Sequence, residues 1–106
     1  MAVDEGTIKA VEIQPAAQKI SFIGVVEKTR RYFLCSLPPN AINKLAGVFM
    51  RYNCKIKEKV FSVVVFQGGK GKYKELQGKI FFLLPSYIVR ELKLKLGKIK
   101  VELWKG

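Results

Sequence analysis

Histidine is missing from this chain altogether, and with it the commonest general base and the commonest zinc ligand. Acidic residues are scarce: 8 Asp and Glu stand against 20 Lys and Arg, giving a formal net charge of +12. The carboxylates are scattered and no nucleophile motif accompanies them, so no acid–base pair can be assembled and no enzyme activity is expected. Two cysteines, Cys35 and Cys54, make neither a disulfide framework nor a metal-ligand cluster. A bridge between them stays open, and no metal or cofactor is expected. No apolar run approaches the ~20 residues of a membrane span. The first residues, Met1-Ala2-Val3-Asp4-Glu5, are acidic where a secretory signal would be basic and then apolar. An intracellular, cytoplasmic protein with no membrane partner is the expectation.

What is present is a basic, half-apolar chain of 106 residues, enough for one small domain with a single core. A Lys-rich surface balanced by Glu would be an ordinary solvated exterior. Here Glu does not balance Lys, and the excess favours a polyanion partner.

The segment 75–106 organises the rest. An apolar run, residues 80–84, closes on Pro85; a helical pattern follows, then alternation at Ile99, Val101 and Leu103. A fainter copy lies upstream. Glu27 and Arg31 are spaced like Glu75 and Lys79, and each pair leads into an apolar run ending on Leu-Pro, at Leu37-Pro38 and Leu84-Pro85. Leu45 and Leu92 follow at matching distances. The chain reads as two related strand–strand–helix–strand units, 20–66 and 71–106, sharing one core, behind an arm or edge strand over 1–19.

In order, residues 20–26 and 31–37 read as strands of a hairpin. Pro38-Pro39 suits a helix start, and Ile42, Leu45, Ala46 and Phe49 predict a helix over about 40–52. One long strand is expected over 55–66. Residues 67–74, Gln-Gly-Gly-Lys-Gly-Lys-Tyr-Lys, read as a Gly/Lys-rich linker between the units, or as a basic loop lying on phosphates. A second helix carries Ile88, Val89, Leu92 and Leu96 inward, flanked by Arg90 and Lys93, and ends at Gly97. Residues 98–104 close the chain as a strand, with Trp104 covering a core edge or offering an aromatic plate.

The run Arg-Arg-Tyr-Phe-Leu-Cys-Ser-Leu-Pro-Pro-Asn-Ala-Ile-Asn-Lys-Leu, 30–45, resembles the AbrB-type swapped-hairpin domain in its archaeal style. There a basic residue opens a strand, the strand closes on Ser-Leu-Pro, and a short helix follows. Gly78-Lys79-Ile80 and Leu84-Pro85 look like a second copy, as in MraZ-type relatives with both units in one chain. Lys98 stands where that family has the acidic residue of its Gly-Asp turn. The resemblance implies a mainly β barrel with two short helices. It also implies DNA binding by a transcription regulator, a chromatin-like protein or an antitoxin, with Arg30, Arg31 and Lys79 on the nucleic acid. Lys28 from the same turn and Lys70 and Lys72 from the Gly/Lys-rich stretch complete the expected basic set. Double-stranded DNA is the favoured partner, and a homodimer or a protein partner stays open.

The rival reading is a ferredoxin-like fold similar to an RNA-recognition domain. From Arg31 the order strand, helix, strand, strand, helix, strand fits it, and it implies a single-stranded RNA or DNA ligand. Ile80-Phe81-Phe82 suits base stacking poorly.

Overall fold

The computed structural model describes residues 19–69 and 76–105. The N-terminal arm before Lys19, and Lys70 and Lys72 with their neighbours, lie outside the described residues. Six strands form a closed antiparallel barrel: β1 (Ile20–Lys28), β2 (Phe33–Ser36), β3 (Met50–Ile56), β4 (Lys59–Gln67), β5 (Ile80–Leu84) and β6 (Gly97–Trp104). Around the barrel they run β1-β2-β5-β4-β3-β6. Helix α1 (Pro39–Ile42) follows β2, and helix α2 (Ser86–Leu92) follows β5.

Closure follows from strict alternation. Phe22 and Val26 of β1, Tyr52, Cys54 and Ile56 of β3, Phe61, Val63 and Val65 of β4, and Val101 and Leu103 of β6 all point inward and are buried. Gly24 leaves room for its neighbour: a Cβ there would lie 2.5 Å from the Cys35 sulfur. A second, smaller cluster on the outer face of the wall joins Leu34, Leu76 and Phe81, with Phe66 and Leu83 against it.

The pairing registers carry an internal two-fold relation. Laying Ile20–Lys28 onto Lys59–Gln67, 33–36 onto 80–83 and 50–56 onto 97–103 converts the β1–β2 ladder into β4–β5 and the β1–β6 ladder into β4–β3. The burial patterns of β1 and β4 differ at one position. Third strands are exchanged: among the described residues β3, from the first half, pairs only with β4 and β6, and β6 pairs with β1 and β3.

Four expectations need correction. The ferredoxin-like arrangement does not form, because β1 pairs on both sides and closes the sheet. The expected long strand over 55–66 is a hairpin, β3 and β4, turning at Lys57–Glu58. The halves of the ladder therefore meet at this turn, and the Gly/Lys-rich stretch falls between β4 and β5 inside the second half. The expected helix over 40–52 is helical only at Pro39–Ile42. Ile42 and Leu45 pack on the core as expected, but Ala46 and Phe49 are exposed. Gly47 and Val48 are poor helix formers, and residues 50–56 gain a full ladder with β4 instead. The second helix likewise stops at Leu92, with Lys93 in the left-handed region, and Leu96 is exposed.

Tyr52 anchors the non-helical turn. Its buried hydroxyl donates to the Gly47 carbonyl at 2.6 Å and accepts from the Gly47 N–H at 3.1 Å. Tyr52→Phe leaves that N–H and carbonyl without their partner, and is expected to cost about 1–3 kcal/mol in denaturant melts.

Cys35 and Cys54 are free and buried. Burial, with the Glu27 charge added, pushes the Cys35 thiol from 9.0 up to about 12. Burial, with Cys35 added, pushes Cys54 up as well. The unfolded chain ionises these thiols from about pH 9 while the folded chain keeps them protonated. Stability is therefore complete below 9.0 and falls as pH rises toward the folded value of about 12. The slope is about 1.4 kcal/mol per pH unit per thiol. Denaturant melts from about pH 8 to about pH 10.5 should show a shallower decline for Cys35→Ala/Cys54→Ala than for wild type.

Candidate nucleic-acid interface

The β1–β2 turn is built to hold two arginines outward. Thr29 Oγ1 accepts from the N–H of Arg31 at 3.3 Å and of Tyr32 at 3.0 Å, and the Thr29 N–H donates to the Tyr32 carbonyl at 2.8 Å. Arg30 and Arg31 are exposed on this fixed turn. Beside them the Lys28 ammonium lies 5.3 Å from the centre of the Phe33 ring.

The ladder decides what adjoins that turn. Phe33 pairs with Leu84, so the turn sits where β5 ends and α2 begins. The β3–β4 turn reaches the same end: Lys57 Nζ donates to the Leu92 carbonyl at 2.8 Å, and Lys59 pairs with Glu91 at 2.9 Å. Helix α2 adds exposed Arg90, and Lys93 and Lys95 follow it, also exposed. The last carbonyls of a helix attract cations, which is the local reason Lys57 docks there. Three separate connections thus deliver their cations to one end of the barrel.

Lys79 behaves differently. Ser36 pairs with Phe81 and the Leu37 N–H donates to the Ile80 carbonyl, so Lys79 lies at the opposite end of the β2–β5 ladder from Arg31. Lys79, expected on the nucleic acid together with Arg30 and Arg31, is thus set apart from them, because β2 and β5 run antiparallel. Lys79 Nζ instead binds Glu27 at 2.6 Å, with the Ser36 hydroxyl donating to the other carboxylate oxygen at 2.8 Å. Burial works against the Glu27 charge, but these two hydrogen bonds outweigh it and hold its carboxyl below the usual carboxylate value. This ion pair joins the two halves.

Lys28, Arg30 and Arg31 are brought together, Lys79 is set apart, and Lys70 and Lys72 fall outside the described residues. Sequence reasoning noted Arg90 and Lys93 only as flanks of a helix stripe, and missed Lys57 and Lys59. The signal for these two was a change of phase: apolar positions are even at Tyr52, Cys54 and Ile56 and odd at Phe61, Val63 and Val65, as a two-residue hairpin turn requires.

Trp104 is half-buried, with the Lys19 ammonium 4.6 Å from its ring centre. Among the described residues no group of His, Cys, Asp and Glu could hold a metal, and no helix is long and apolar enough to cross a membrane. No family model, no curated protein and no solved structure matches this chain.

Proposed function

We propose that this protein binds nucleic acid, double-stranded DNA above all, at the α2 end of the barrel, in the manner of a transcription regulator or a chromatin-like protein. The observation that carries this reading is the convergence of Lys28, Arg30, Arg31, Lys57, Arg90, Lys93 and Lys95 on one end of a chain of net charge +12. Of the three carboxylates near them, Glu27 and Glu91 are already paired with lysines, and Glu58 of the β3–β4 turn is exposed. Lysine supplies most of the charge, and it contacts phosphate as a point charge; few arginines are present for bidentate base reading. The reading is therefore of broad phosphate contact with modest sequence preference. The AbrB-like swapped-hairpin assignment is supported by the paired strand–strand–helix–strand halves and by the exchange of third strands between them.

A protein-interaction role, as an antitoxin or accessory subunit, is the second reading. It is favoured by exposed Ile23 and Val60 on the outer wall. Fluorescence anisotropy on duplex DNA, single-stranded DNA and single-stranded RNA at several salt concentrations separates the readings. The expected result is preference for duplex with a log–log salt slope of roughly −4 to −5, for four to six neutralised phosphates. Absence of duplex binding at ~50 mM salt would leave the interaction role in front. Preference for single-stranded RNA would point to base stacking in place of duplex contact.

A further inference from the structure

The seam between β3 and β6 is closed on one side of the internal two-fold and open on the other. Its ladder holds Asn53↔Trp104, Cys54↔Leu103 and Lys55↔Glu102. Exchanging the halves returns Lys55↔Glu102 to itself and turns the other two pairs into Ile56↔Val101 and Lys57↔Lys100. Neither of these forms. Lys57 turns away at φ 57° into the β3–β4 hairpin, and its ammonium goes to the Leu92 carbonyl. Among the described residues, no strand therefore pairs with 97–101 of β6 on the side away from β1. An open cleft of ≈ 290 Å³ lies at this gap, lined by Lys55, Lys57, Ile99, Lys100 and Glu102. Its one carboxylate is within 3.8 Å of the Lys19 ammonium.

We propose that this gap is a strand-addition site for an extended acidic segment of a partner protein. An unpaired strand edge offers N–H donors and C=O acceptors in alternation, and another polypeptide backbone answers both. A phosphodiester chain offers acceptors only. The open stretch matches the ~5 residues of an ordinary strand. The Lys55 and Lys100 ammonium groups beside it select carboxylates on the added strand. Ile23, the Cα partner of Lys100 and 51% exposed, offers an apolar seat beside them. A second copy of this chain is a poor occupant, because its matching edge would bring lysines against lysines.

The test uses the full chain and a fluorescein-labelled peptide of four Val-Glu repeats. Binding with a Kd in the micromolar range is expected, with amide-exchange protection within 97–101 read by NMR. Lys55→Glu/Lys100→Glu should weaken binding by at least about tenfold while far-UV circular dichroism stays unchanged. The same peptide with alternate backbone nitrogens methylated keeps the charge and loses the donors, and should not bind. Equal binding of the methylated peptide to the wild-type chain would overturn strand addition, whatever the folding of the variant. So would failure of the Val-Glu peptide to bind, or shifts at Lys55 and Lys100 caused by duplex DNA alone.

Discussion

Replacing Arg30, Arg31, Arg90 and Lys93 together with alanine is expected to weaken duplex binding on the order of a hundredfold or more at low salt, whatever the sequence. It should also flatten the log–log salt slope by roughly three to four. Each of these cations is exposed and, among the described residues, none is held by a carboxylate, so removing them costs little stability and takes away phosphate contacts directly. Lys79 makes the contrast: its charge is spent on Glu27, and Lys79→Ala should lower stability more than affinity. Lys44 and Lys105, exposed and remote from α2, serve as controls for charge alone. Anisotropy titrations of the two sets decide the matter. An equal loss from Lys44→Ala/Lys105→Ala would mean that bulk charge, and no particular end of the barrel, does the binding.

Cutting the chain between Lys57 and Glu58 should give two pieces that fold only when mixed. The first piece keeps the β1–β2 hairpin, but every partner of its β3 is on the other piece. The second keeps β4 and β5, while both partners of its β6 are lost. A lone hairpin with an orphan strand is marginal in water. The core cannot be divided either, since Phe22, Cys35 and Tyr52 pack in one cluster with Phe61, Phe82 and Leu103. Each piece alone should show little cooperative structure by circular dichroism, or should dimerise. An equimolar mixture should recover a sharp melt and a single 1:1 species by sedimentation. The shorter segment 71–106, which lacks even β4, should behave no better. A monomeric, cooperatively melting piece would refute the shared core.

The repeat was readable because burial repeats with it. Leu37-Pro38 and Leu84-Pro85 end the second strand of each half, and Ile99, Val101 and Leu103 alternate as a strand should. What misled was the β3–β4 turn. Lys57-Glu58 lacks the Asn-Gly or Asp-Gly pattern that marks a two-residue hairpin, and Lys57 adopts a positive φ without being glycine. Periodicity alone therefore joins the end of β3 to β4 as one strand and places β4 in the first half. The helix over 40–52 misled for another reason: Ile42 and Leu45 do pack on the core, so half of the helical stripe was real. Tertiary pairing of 50–56 with β4 overrode the rest. For the basic site, local sequence showed Arg30 and Arg31 but not their company, because Lys57 and Arg90 reach the same end through barrel closure alone.

The Cys35↔Phe82 and Lys55↔Glu102 pairs sit where the two-fold axis crosses the wall, so each residue there faces its own counterpart from the other half. Two identical chains closing the same barrel would have to place like against like at both points. Phe against Phe would overfill the narrow interior, Cys against Cys would leave a void, and Lys against Lys would repel. A single continuous chain is released from that constraint. It can set a small side chain against a large one inside, and an ammonium across from a carboxylate outside. Joining the halves therefore permits a division of labour that an association of equals lacks: the α2 end can gather cations while Glu27, just behind its turn, is held by Lys79 from the other half.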